Sequence, residues 1–331
     1  MTPHLTFFTE LTSDRLAELF RDGRAANFLA QGGHALSMGL LDLASERAAI
    51  VRALEARQVP VTAWLLLDVA DGYWLNADNP AVARRRYEDT IAWAAREGLR
   101  LHRIGLDIEF PRSDAELMMR RGLRGALTLL RRRRTASQVA DAERAYVQLV
   151  EQIRRDGRSV ETYHLPHLLD ERRVGSTLLR RTFGLVDIPA DIEVHMLYAS
   201  YLGAAGARAY FSEAPAIALG VTGGGVNAHD DSQSGRLLSW DRLEADLLAA
   251  AGAGDVYIFS LEGCVWHNLL DPLRRMDWDR ASSALPDGAL RRAQRNRRLL
   301  RLALRAEPLL DLFYPVRRAA VPVDRSNPAA Q

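Results

Sequence analysis

Lysine is absent from all 331 residues, and every strongly basic side chain is an arginine. That fits a GC-rich codon bias and lowers the meaning of any single arginine run. Cysteine occurs once, at Cys264, which excludes an internal disulfide and a cysteine-rich zinc site. No apolar run approaches the roughly 20 residues that cross a bilayer. The opening stretch, MTPHLTFFTELTSDRLAELF, carries acids early and lacks a basic segment followed by an apolar one. A cytoplasmic location is the expectation. A net charge of +2 gives no global pull toward nucleic acid, and none is expected as a partner. No glycine-rich phosphate loop follows the first β-like run, where FFTELTSDRLAEL stands instead, which argues against a doubly wound nucleotide fold.

What is present is a rhythm. Short β-rich apolar runs recur at LTFFTE (5–10), ANFLAQ (26–31), VPVTAWLLLD (59–68) and LHRIGLDIEF (101–110). They continue at SVETYHL (159–165), IEVHMLYAS (192–200), AIALGVT (216–222) and VYIFSLEG (256–263). Helical patterns with readable ends lie between most of them. NPAVARRRYEDTIAWAAREG puts Asn79 at the cap, Pro80 at the first helical position and Gly98 at the stop. Such alternation calls for parallel strands joined by crossover helices. Eight beats in roughly 260 residues match a closed (β/α)8 TIM barrel.

The expected organisation is one barrel domain over 1–315 and a loose tail over 316–331. The fourth connection, 111–158, is too long for a simple crossover and reads as an inserted helical hairpin. The glycine-rich stretch TGGGVNAHDDSQSG (222–235) reads as a mobile loop over a site. Two arginine runs, 118–134 and 289–305, read first as solvated helix faces. They also fit basic amphipathic helices lying on anionic lipid or RNA. A membrane-surface contact is accordingly assigned to 118–134.

The run RIGLDIEFP (103–111) ends in two acids. Residues i and i+2 on a strand share a face, so Gly105, Asp107 and Glu109 point one way and Ile104, Leu106 and Ile108 the other. The aliphatics suit the layer between barrel and helices, which aims Asp107 and Glu109 into the barrel at its ligand-binding end. On the third strand Trp64, Leu66 and Asp68 share a face. On the eighth, Glu262, Cys264 and Trp266 do so if the strand persists that far. The fifth offers Tyr163 and His164, one in and one out, and the sixth offers His195 or Tyr198. Crowded carboxylates in a dry pocket raise one another's proton affinity, so a glutamic acid can serve as proton donor near neutrality. That is glycoside hydrolysis chemistry, and aromatics such as Trp64, Tyr73, Trp74 and Trp266 suit a sugar ring. The expected catalytic residues are Glu109, Asp107 and Glu262. The expected carbohydrate-binding residues are Tyr198, Trp266, Asp68, Trp64, Tyr163 and Met196, with no metal or cofactor.

GLDIEF resembles the fourth-strand signature of family 18 glycoside hydrolases, the chitinase-like enzymes, which ends in Asp-x-Glu. The resemblance implies Glu109 as proton donor and Asp107 as the group that positions the substrate's acetamido moiety. HMLYAS is similar to that family's Met-x-Tyr element, placing Met196 and Tyr198. EGCVWHNLLD is similar to its final-strand element, placing Gly263, Trp266 and Asp271, with the tryptophan as a floor for the sugar. The family carries two further aspartates upstream, where this chain has His102 and Gly105.

Two rival readings use other residues. A metal-dependent barrel, phosphodiesterase-like or isomerase-like, would draw ligands from Glu109, His164, Glu193, His195 and Glu262. It needs Glu193 and His195 to face inward on strand six, the opposite parity to Met196 and Tyr198. The TGGG segment would then be a place for a phosphate. A non-catalytic barrel would instead bind sugar, or use its basic hairpin to dock on a membrane or an acidic partner.

Overall fold

The computed structural model of the chain describes residues 4–224, 237–252 and 254–313. The expected tail and most of the expected glycine-rich loop lie outside these residues. In chain order the elements begin with β1 (Leu5–Thr9), α1 (Ser13–Phe20), α2 (Arg24–Gly32), β2 (Ala35–Leu40), α3 (Ser45–Glu55) and β3 (Val61–Leu65). Then come α4 (Pro80–Glu97), β4 (Arg103–Ile108), α5 (Arg112–Arg131), α6 (Ala136–Arg155), β5 (Ser159–His164), α7 (His167–Val174) and α8 (Leu178–Phe183). Next are β6 (Ile192–Met196), α9 (Ala199–Leu202), α10 (Ala204–Arg208), β7 (Ala216–Gly220), α11 (Trp240–Ala250) and β8 (Val256–Phe259). The described chain finishes with α12 (Leu261–Trp266), α13 (Leu270–Arg274), α14 (Ala289–Arg305) and α15 (Glu307–Phe313). The strands pair in parallel from β1 to β8, and β8 closes onto β1. The fold is the expected (β/α)8 barrel.

Alternation divides each strand between two cores. Ile104, Leu106 and Ile108 of β4 join an outer layer with helix residues such as Tyr87, Trp93 and Leu149. The barrel interior holds Phe8, Trp64, Leu66, Tyr163, Met196 and Tyr257. Burial on both faces is what parallel strands require, and it explains why they read as near-continuous apolar runs. Towards the closed end, buried Glu161 accepts hydrogen bonds from Arg103 at 2.7 Å and from the Tyr163 and Tyr257 hydroxyls, each at 2.9 Å. Those partners offset the cost of burying its charge.

Two sequence expectations need correction. ANFLAQ (26–31) lies in α2, where Ala25, Ala26, Phe28 and Leu29 are buried at helical spacing. The second strand is Ala35–Leu40, reached after Gly33 ends the helix at φ 63°. A short apolar run carries no length cue to separate strand from buried helix. The eighth strand stops at Phe259, because Ser260 caps α12: its Oγ accepts the Gly263 N–H at 3.1 Å. Glu262, Cys264 and Trp266 therefore lie on a helix and share no strand face. The long fourth connection holds the two helices expected of it, and they do different work. α6 is the barrel's own crossover helix, packed on α4 and β5, while α5 is the addition, packed on α8.

Candidate active site at the barrel mouth

Asp107 and Glu109 end β4 with the parity that alternation demands. Asp107 is 2% exposed inside the barrel and Glu109 is half-buried above it. Their backbone is held by a short extension of the sheet: Leu75 pairs with Ile108. The Leu75 N–H donates to the Asp107 carbonyl at 2.9 Å, and the Glu109 N–H donates to the Leu75 carbonyl at 3.2 Å. Leu75 belongs to the connection between β3 and α4, which Asn79 organises. Asn79 makes no helix-capping bond. Its side chain accepts from the Asn76 N–H and the Tyr146 hydroxyl and donates to the Asp71 and Trp74 carbonyls.

The same connection brings Tyr73 over the mouth, where its hydroxyl donates to Glu10 in a short hydrogen bond. Glu10 is buried just past the end of β1 and continues the inward face of Thr6 and Phe8. Its N–H donates to Oε1 of Glu262 at 3.3 Å. Glu262, fully buried in the first turn of α12, lies against Gly224, where a Cβ would fall 2.3 Å from Glu262 Cγ. Glu10, Asp107, Glu109 and Glu262 thus converge on one rim from β1, β4 and α12.

Their electrostatics follow from crowding. Burial pushes Asp107 well above the usual carboxylate range, and the charges of Glu109 and Glu10 push it further. The Trp64 indole opposes that shift, yet neither Trp64 Nε1 nor Asp107 Oδ1 completes a hydrogen bond. Burial raises Glu109 to about 7. Tyr198 is raised well above its ordinary value by burial and by Asp107 and Glu109, so its hydroxyl stays protonated beside the pair. The Arg112 guanidinium lies 5.9 Å from the Tyr73 ring centroid.

The other expected residues divide. Trp64, Tyr163 and Met196 are inside the barrel. Trp64 and Tyr163 pack edge-on against Phe8 at 5.4 and 4.9 Å between centroids, and the Tyr163 hydroxyl turns toward Ser37 at 2.6 Å, so Tyr163 is floor rather than rim. Tyr198 reaches the acids. Asp68 does not: it is exposed, ahead of the short turn Val69–Asp71. Trp266 is 45% exposed at the end of α12 and forms no floor. Asp271 is exposed and pairs with Arg274 at 3.6 Å.

Strand six settles the parity question. Val194 and Met196 are interior, while Glu193 and His195 point outward. His195 contacts Glu193 at 2.7 Å and stacks near His164, with Arg172 donating to Glu193 at 2.6 Å. Burial opposes the ionisation of Glu193, but hydrogen bonds from His195 and Arg172 outweigh it and hold the group at about 2. The five donors of the metal reading are therefore split by the barrel wall. Among the described residues no cluster of three or more His, Cys, Asp or Glu has metal-binding geometry. In the described part of the TGGG segment, Gly224 lies against the Glu262 carboxylate, a poor place for a phosphate.

Glu10 and Leu75 are the site residues missed in the sequence. Glu10 follows from the rule that selected Asp107, being the next inward position after Phe8. Leu75 carries no signal short of the fold.

No family model matches the chain, and no curated protein matches it. Similar solved structures include the glycoside hydrolase domain of PgaB (BpsB) from Bordetella bronchiseptica, 11% identical with a TM-score of 0.49, over 83% of this chain and 99% of that one. D-allulose 3-epimerase from Methylomonas sp. is 10% identical with a TM-score of 0.41, over 92% and 98% of the two chains. A xylose isomerase domain protein from Planctomyces limnophilus is 11% identical with a TM-score of 0.42, over 83% and 97%. These values bring no activity across, and the fold rests on the closed strand order itself.

Proposed function

We propose that the chain is a glycosidase-like hydrolase that acts on a carbohydrate at the mouth of its barrel. One observation carries the reading: Glu109, raised to about 7, stands beside buried Asp107 where β4 opens. In that role Glu109 gives its proton to the leaving oxygen as the glycosidic C–O bond breaks. Asp107, which burial and the neighbouring carboxylates keep protonated, is placed to donate to a substrate oxygen beside the reacting carbon, and water completes the reaction by adding to that carbon. Glu262, one hydrogen bond from Glu10, is the candidate to take the water's proton. Protonated Tyr198 is suited to donate to a substrate oxygen. The resemblance to family 18 enzymes would add an acetamido group oriented by Asp107. Trp266 and Asp68 have no part in this version.

A panel of aryl glycosides, assayed with and without a chelator, tests the proposal. Glu109→Gln should lose ~10²–10⁴-fold in kcat. The loss should shrink for dinitrophenyl substrates, whose leaving group needs no protonation. Chelator should change nothing. Hydrolysis untouched by Glu109→Gln, or abolished by the chelator, would overturn the proposal, the second in favour of a metal-dependent barrel.

A further inference from the structure

The added helix, α5, leaves the mouth three residues beyond Glu109 and is not straight. At Gly122 the backbone departs from helical geometry (φ 50°, ψ −127°), a conformation open to glycine alone among common residues. The second half folds back so closely that a Cβ on Gly125 would lie 2.7 Å from the Leu117 carbonyl oxygen. The bend makes a knuckle. All six residues from Met119 to Arg124 are exposed, with Met119 at 66% and Leu123 at 78%. Between these two large apolar side chains stand Arg120 and Arg121, and Arg124 follows. Arg120 has only a 3.7 Å contact with Glu116, and Arg121 and Arg124 form no ion pair among the described residues.

A solvated helix face does not put methionine and leucine at its most exposed points. Nor does the knuckle present aromatic rings or a groove that would take a nucleic acid strand. Apolar tips set among exposed cations, two of them with no ion pair among the described residues, match a surface that is negatively charged outside and hydrocarbon within. We infer that the α5 knuckle, Met119–Arg124, docks the protein on an anionic lipid bilayer, with the two apolar side chains entering the headgroup boundary and the three arginines meeting the lipid charges. Binding of this kind is peripheral, since no helix among the described residues is long and apolar enough to cross a membrane. The inference is independent of the chemistry assigned to the mouth.

Co-sedimentation of the full chain with phosphatidylcholine vesicles, with and without phosphatidylserine, tests it. The protein should pellet with the mixed vesicles, much less with the neutral ones, and less as salt rises. Each of Arg120→Gln, Arg121→Gln and Arg124→Gln should weaken binding about fivefold. Met119→Ser with Leu123→Ser should weaken it at least as much as one arginine change. These positions are exposed, so the variants should melt with the wild type. Failure to bind the mixed vesicles, or equal binding to both kinds, would refute the inference. So would binding unaffected by the apolar pair, the outcome expected if the arginines instead hold RNA or an acidic protein.

Discussion

A carboxyl group in water at neutral pH is ionised, and burial at the mouth of this barrel makes one hold its proton more tightly. Burial raises Glu109 to about 7 from an ordinary 4.5. A group that holds its proton more tightly folded than unfolded costs stability as pH rises from the unfolded value through the folded one. Glu109→Gln removes that cost. Urea melts should find the variant more stable than wild type above about pH 7, by about 3 kcal/mol, with the advantage gone below about pH 4. A destabilised variant would mean that the Glu109 carboxylate is held by partners rather than strained by burial. At this scale the sequence is legible where alternation governs. Asp107, Glu109 and Tyr198 follow from period two, and so does Glu10 once the rule is applied to β1. Trp266 and Asp68 are misplaced because α12 replaces the strand at the one and the turn Val69–Asp71 diverts the chain at the other, whereas Glu10 and Glu109 lie only one residue past theirs.

Elements explain why the site has the depth it has. Gly105 faces inward opposite Trp64, and a Cβ there would fall 2.5 Å from the Tyr163 hydroxyl. The tyrosine occupies the volume that any side chain at 105 would need. Gly105→Ala should cost about 1–3 kcal/mol by crowding Tyr163, read from the urea midpoint. Wild-type stability would show that the tyrosine has room to move. Helix ends are legible where the chain spells them, as at Pro80 and Gly98 of α4, and at Ser260 for a reader who lets the cap override the apolar run. The second strand is not legible from local pattern, because ANFLAQ and ALSMGL are both short and apolar and only packing separates them.

At the scale of the whole molecule, eight buried beats are enough to imply the closed barrel, since strands covered on both faces leave long apolar words in the sequence. The arginine runs are not legible in the same way. In α14, Arg297 and Arg301 turn inward from a stretch that reads as uniformly basic. Arg297 bonds Asp170 and Glu213, each at 2.9 Å, and lies 3.6 Å over the Tyr210 ring, clamping α14 to the barrel. Asp170 is fully buried, so Arg297→Met should cost about 3 kcal/mol or more by leaving that charge short of a partner. A loss below about 1 kcal/mol would assign the clamp to Arg301 instead.

The account as a whole turns on one proton, and carboxyl carbon NMR titration of the glutamates observes it. Burial also raises Glu171 to about 7, against the pull of Arg180, so two resonances should titrate near neutrality in the wild type. One of them should vanish in Glu109→Gln and persist in Asp107→Asn, since burial rather than a charge on Asp107 raises Glu109. Were both resonances to survive Glu109→Gln, Glu109 would be an ordinary carboxylate and no proton donor.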